Sequence, residues 1–176
     1  MQAMNPGSLS DICAQLSAQK LPRWEELPDL ELYMDQVLAL IQRYLGSYPG
    51  YDEKGLTASM VNNYVKMGVV PPPKKKRYTR IHLAHLILIC VLKASLPIAA
   101  IQQLIALELQ ETPENVFYDR FCALFEQAGE AVAAAYAAEG MDAVAVVCRA
   151  ALRAQAEQAL ASRLLAAALP TEKTED

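Results

Sequence analysis

The chain has 176 residues, 53% of them hydrophobic and 20% charged, with a net charge of −4. That length supports one sizeable core or two small ones, and the apolar content excludes a largely disordered chain. The charge is uneven: residues 52–93 hold eight Lys/Arg against two acids, about +6, and the remainder holds eight against eighteen, about −10.

Taken in chain order, the first nine residues read as loose. Ser10 and Asp11 then open a short helix through Ile12 and Leu16 toward Lys20. Pro28 and Asp29 mark the start of an amphipathic helix whose stripe is Leu30, Met34, Val37, Leu38, Ile41 and Leu45, ending near Gly46. Residues 46–56 are a loop on composition. Thr57 is a helix N-cap and Gly68 a residue suited to positive φ just past the helix end. Within that short helix Ala58, Val61, Tyr64 and Val65 share one face. Ser59, Asn63 and Lys66 point the other way, with Asn62 on the flank.

PPP at 71–73 forces extended backbone, and KKKRY at 74–78 is long enough for a tight hairpin tip or one strand. Thr79 caps a helix predicted over 80–94, too apolar at its centre to be anything but buried. Pro97 opens another, with a stripe of Ile98, Ile101, Leu104, Ile105 and Leu107. Thr112-Pro113 starts a helix predicted over 113–138, with Glu114 near its dipole end and Val116, Phe117, Phe121, Leu124 and Phe125 on one side. Gly140 stops it. An Ala-rich helix predicted from about Asp142 to Leu169 follows, and residues 171–176 form a charged tail.

Most chemistry finds no foothold. The longest apolar run, 86–92, is far short of the roughly 18–20 residues a membrane span needs. MQAMNPGSLSDICAQL lacks the basic and apolar regions of a signal peptide, and the four cysteines form no CxxC pattern, so cytoplasmic thiols are expected. Cys90, inside LILICVL, reads as a small buried hydrophobe, and no close thiol or His supports a redox or metal role for Cys122 or Cys148. His82 and His85 lack a third ligand and read as surface or satisfied core histidines. Trp24 reads as an anchor packing the N-terminal segment onto the body. No Ser-His-Asp, P-loop or GxGxxG arrangement is present. Neither an enzyme nor a cofactor is expected.

What remains is an ordered set over 56–107: a short helix with a polar outer face, a Pro-stiffened basic turn, and two apolar helices. A short helix can lie in a major groove, where Asn and Ser reach base edges, while a cationic turn beside it neutralises backbone phosphates. TASMVNNYVKMGVV, the basic turn, RYTRIHLAHL and LPIAAIQQLI together resemble the winged-helix DNA-binding head of mercury-resistance-type (MerR) regulators. The match by type and spacing runs through Thr57, Val61, Tyr64, Gly68, Val69, Val70, Tyr78, Thr79, Leu83, Leu86, Ile98 and Ile101, about a third of the chain. That family has Arg-Tyr where this chain has Asn62-Asn63, an aromatic at Lys75 and Arg at Lys76. The resemblance therefore lends roles only to Tyr64, Tyr78 and, by charge, Lys76. RWEELPDLELYMDQV before this head is also similar to the opening of an uncharacterised bacterial domain-of-unknown-function family.

The expectation is a mostly α protein: a MerR-like winged helix-turn-helix head with a small β wing, then a C-terminal helical region. Its segments would be 1–50 packing on the head, 51–110 as the head, 111–170 for dimerisation or sensing, and the tail 171–176. The expected function is a sequence-specific transcriptional regulator, binding double-stranded DNA as a homodimer. Ser59, Asn62, Asn63, Tyr64 and Lys66 would meet the groove, and Lys74, Lys75, Lys76, Arg77 and Tyr78 the backbone. The resemblance leaves a small-molecule effector open. The alternative is a helical protein-interaction module whose winged head no longer reads DNA.

Overall fold

From His82 to Cys90 every residue of one helix, Arg80–Leu92, is buried. A helix apolar on all sides is stable only when surrounded, and each fully buried Leu or Ile there contributes about 1.5–3 kcal/mol over exposure. The rest of the molecule supplies that enclosure. A computed structural model describes residues 8–48, 51, 55–136 and 142–168. Among them are α1 (Leu9–Ser17), a single 3₁₀ turn (Trp24–Glu26), α2 (Met34–Leu45), α3 (Ala58–Lys66), α4 (Arg80–Leu92), α5 (Ile98–Glu108), α6 (Glu114–Tyr136) and α7 (Ala143–Ala168).

Four helices turn their apolar faces to α4: Val37, Ile41 and Leu45 of α2, Val61 and Tyr64 of α3, Ile101 and Ile105 of α5, and Phe117, Tyr118 and Cys122 of α6. One core thus runs from Leu21 to Cys122, taking side chains from each of the expected segments 1–50, 51–110 and 111–170. The stretch before α2 is tied across it. Tyr118 donates its hydroxyl to the Pro22 carbonyl at 2.9 Å, Trp24 stands edge-on to Tyr118, and the Trp24 backbone N–H meets Asp119 Oδ1 at 2.8 Å. Trp24 therefore anchors the N-terminal segment on the body, as expected of it. Arg23 spans from the Asp119 carbonyl to the Glu126 carboxylate, at 3.0 and 2.9 Å.

Several boundaries differ from the sequence reading, each for a local reason. α1 is capped by Ser8 rather than Ser10, because Ser8 and Asp11 exchange side-chain to backbone hydrogen bonds, and it ends at Ser17. α2 begins at Met34, not at Pro28. Leu32 exchanges both backbone hydrogen bonds with Tyr78, at 2.8 and 2.9 Å, which holds the chain extended and leaves Leu30 exposed. Tyr33 then opens the helix, its N–H held by Gln36 Oε1. α4 stops at Leu92 in a turn before Pro97. Val116 and Leu124 of α6 are exposed instead of joining the phenylalanine ridge, while Tyr118 and Cys122 are fully buried.

The expected β wing is not a sheet. Among the described residues there are only two isolated bridges, Leu32 with Tyr78 and Lys74 with Arg77. Three consecutive prolines, 71–73, have no N–H to donate, so the arm entering the basic turn cannot extend a ladder. The 46–56 loop is partly a core element: Tyr51 is buried, and its hydroxyl accepts the Leu56 N–H at 2.9 Å. The Gly140 stop, the end at Leu169, residues 1–7 of the loose start and the tail 171–176 lie outside the described residues.

α7 differs from every other helix. Asp142 caps it through the Ala145 N–H at 3.0 Å, yet it has no buried residue, and Val144, Val147, Leu152, Leu160 and Leu164 are each more than half exposed.

α1 lies along α6, close enough at Gly129 that an added Cβ would stand 2.6 Å from the Leu16 carbonyl oxygen. Gly129→Ala gains about 1 kcal/mol of helix propensity but meets rigid backbone, and overpacking of that kind costs about 1–3 kcal/mol. The expected outcome is net destabilisation, with faster amide exchange across 9–17 and unchanged protection in α4. Net stabilisation would mean that α1 is not seated against Gly129.

Candidate functional site

The short helix α3 is built from its caps. Thr57 Oγ1 accepts the Met60 N–H at 3.3 Å. At the far end Gly68 takes φ +71°, and the N–H groups of Gly68, Val69 and Val70 fold back onto the Val65 and Tyr64 carbonyls at 3.0–3.3 Å. Val61 and Tyr64 enter the core while Ala58 and Val65 are half-buried. The outer face is then set by the 3.6-residue period. Ser59, Asn62, Asn63 and Lys66 are all exposed, and with Met60 they line a shallow hollow of about 570 Å³. The face predicted from the helical wheel is the one presented.

The basic turn follows within a few residues. Lys74 and Arg77 close it, with Arg77 N–H to the Lys74 carbonyl at 2.9 Å, and Lys75 and Lys76 occupy its tip with φ +49° and +61°. Two successive positive φ values are the geometry that best matches the twist of a tight hairpin, usually given to Asn-Gly. Placing two lysines there costs backbone energy and aims their side chains outward. Lys66, Lys74, Lys75 and Lys76 are exposed and form no ion pair among the described residues.

Arg77 does not join them in solvent. Its guanidinium stacks 3.5 Å from the centroid of the Tyr33 ring, which locks the turn onto the segment leading into α2. Tyr64 and Tyr78, expected to be partly packed with their hydroxyls available to a phosphate, are 6% and 4% exposed, and burial raises both phenol pKa values. Their rings are core elements: Tyr64 holds α3, and Tyr78 stands edge-on to His82, 5.3 Å away. Asn62, on the flank, is exposed like its neighbours.

Both histidines are buried, beneath this surface. His82 Nδ1 accepts the Thr79 backbone N–H at 2.9 Å, so His82 caps α4 where a Glu or Gln commonly would. Burial lowers its pKa first, then the nearby His85, against the raising effect of the Pro72, Thr79 and Pro71 backbones. His85 faces the Val69 carbonyl with Nδ1 at 2.8 Å. A carbonyl only accepts, so Nδ1 carries the proton. Its Nε2 meets the Glu114 carboxylate at the start of α6. The pair therefore ties α6 to the exit of α3 as well as placing Glu114 near a helix N-terminus. Sequence reasoning missed both this tie and the Tyr33 platform, because each joins residues far apart in the chain.

Among the described residues no group of His, Cys, Asp and Glu could hold a metal ion, and no helix is long and apolar enough to cross a membrane. All four cysteines are free thiols. Burial pushes the Cys90 and Cys122 pKa values up to about 11, which leaves neither as a thiolate, whereas Cys148 is exposed on α7.

The model of one family, described as a domain of unknown function (DUF1836), matches residues 22–121. The chain belongs to that family. The matched span coincides with the single core, Leu21 to Cys122, so the family's extent is that of the α4 enclosure together with α3 and the basic turn. No curated protein and no solved structure matches the chain.

His82 makes the base of this surface sensitive to pH. Its folded pKa lies below the unfolded value of about 6.5, so its contribution is complete above that pH. As pH falls the unfolded chain takes up a proton that the folded chain refuses, and stability declines until the folded pKa is reached. His82→Gln keeps a capping acceptor and removes this titration. Between about pH 7.5 and about pH 5.5, the wild type is expected to lose more of its urea midpoint than the variant. Equal losses would assign the titration elsewhere.

Proposed function

We propose that the chain is a sequence-specific DNA-binding transcriptional regulator of the cytoplasm, with a MerR-like head that meets duplex DNA through α3 and the basic turn 74–77. One observation carries this reading. Ser59, Asn62, Asn63 and Lys66 stand exposed on one face of α3, beside three lysines held outward on a turn whose tip, Lys75-Lys76, is strained, with no ion pair among the described residues. Backbone strain kept at an exposed turn points to a use for the side chains it aims. Asn and Ser suit base edges, Lys66 suits a base or phosphate, and the tip lysines suit the flanking backbone. Tyr64 and Tyr78 serve from beneath, holding the helix and the turn in register. Arg77 is committed to Tyr33 and contributes position more than free charge.

A homodimer fits the same reading. α7 touches α5 yet has no buried residue, which leaves its apolar side chains open to a second copy, and pairing two heads would double the footprint and impose a palindromic site.

Salt dependence tests the electrostatics. If Lys66, Lys74, Lys75 and Lys76 each displace a counterion, log K falls against log salt with a slope of about −3.6 per head, about a hundredfold between 50 and 200 mM. Changing Lys74, Lys75 and Lys76 to Ala is expected to leave a slope of about −0.9. An unchanged slope would remove the turn from the interface.

Selection of bound fragments from the source genome tests specificity. Wild type is expected to recover a shared inverted repeat that the triple variant does not. Featureless recovery, equal in both, would overturn DNA reading in favour of a head that contacts a protein.

A further inference from the structure

Away from the proposed DNA face, two hollows adjoin where the ends of α1 and α2 meet the middle of α6. One is about 490 Å³ and the other about 480 Å³, and they share Lys20, Leu21 and Tyr44 as a common wall. Either is within the roughly 300–1,000 Å³ range of small-molecule sites. The two ends differ in chemistry. In the first, Leu21, Tyr44, Tyr48 and Phe125 supply an apolar and aromatic lining, and the Tyr48 and Phe125 rings pack 5.4 Å apart at 58°. A long contact from Gln19 Nε2 to the Ser47 carbonyl, 3.4 Å, joins the two helix ends across it.

The second hollow holds three cations, Lys20, Arg23 and Arg43, against two carboxylates, Glu26 and Glu126. Both carboxylates are engaged: Glu126 by the Arg23 guanidinium at 2.9 Å, and Glu26 by the Arg23 backbone N–H at 2.6 Å. Lys20 and Arg43 form no ion pair among the described residues. An aromatic slot thus opens onto a hollow with a net excess of positive charge, Lys20 and Arg43 outnumbering Glu26, the one carboxylate there that no cation pairs, in a chain that is acidic overall.

We infer that this cleft binds a small amphipathic anion, its apolar or aromatic body against Tyr44, Tyr48 and Phe125 and its acid group at Lys20 and Arg43. The body gains from burial against rings, and the acid group from charge-assisted hydrogen bonds where a neutral analogue makes none. Tyr44 lines both hollows and so marks where body and head divide. The site involves neither α3 nor the basic turn, so it stands independently of the DNA reading.

The test uses the full chain without DNA, with anilinonaphthalene sulfonate as a fluorescent probe and naphthoate as competitor. Saturable binding of one probe per chain is expected, displaced by naphthoate and at least about tenfold less well by naphthylmethylammonium, the cation of the same skeleton. Lys20→Ala with Arg43→Ala should weaken the probe about tenfold and erase the preference for the anion. Ser47→Trp, from an exposed position at the cleft wall, should abolish binding while leaving both charges in place. Unchanged thermal unfolding in each variant separates loss of the site from loss of the fold. Non-saturable binding, equal competition by anion and cation, or full affinity in the double charge variant would each overturn the proposal.

Discussion

Everything in this molecule depends on the enclosure of α4. Nine consecutive buried residues, 82–90, leave that helix no solvent face, so α2, α3, α5 and α6 are obliged to surround it. Two of those residues are histidines: His85 engages both ring nitrogens and His82 one. His82 Nδ1 caps its own helix while its buried Nε2 has no hydrogen-bond partner among the described residues, and His85 bridges the Val69 carbonyl and Glu114. The polar content of the core thereby joins α4 to both the exit of α3 and the start of α6.

The surface above this core is organised by what cannot bend. Three prolines enter the basic turn, a two-residue reversal forms its tip, and Tyr78 leaves it directly into the core, paired along the backbone with Leu32. Arg77 stacks on Tyr33 one residue beyond that pairing. The lysines are therefore carried on a support fixed at both ends, which lowers the ordering cost of presenting them. The same arrangement explains why α2 begins late: the residues that could have opened it are held extended by the turn.

α6 links this core to α1 and to the cleft. Its inner face belongs to the core through Phe117, Tyr118 and Cys122, its middle receives α1 at Gly129, and its flank forms one wall of the cleft at Lys20 and Arg43. α7 touches α5 but adds no buried side chain, an alanine-rich helix whose apolar side chains remain exposed. The family match ends at residue 121, near the last side chain of the main core, so α7 lies outside the part of the chain that the family defines.

Legibility in the sequence followed the range of the interactions. The caps at Thr57 and Gly68, the buried run of α4, and the split of α3 into an inner face of Val61 and Tyr64 and an outer face of Ser59, Asn63 and Lys66 were all readable. Each rests on neighbours within one or two turns, where helical period and side-chain chemistry are sufficient. The late start of α2, the absence of a ladder at the turn, the stacking of Arg77 and the role of Glu114 were not readable. They join residue 32 to 78, 33 to 77 and 85 to 114, and which of many distant partners meets is decided by packing. By itself the sequence determined which faces are apolar and where cations gather. Only the tertiary structure decided which aromatics are buried and which cations stay free, because burial depends on the enclosure that all the helices make together.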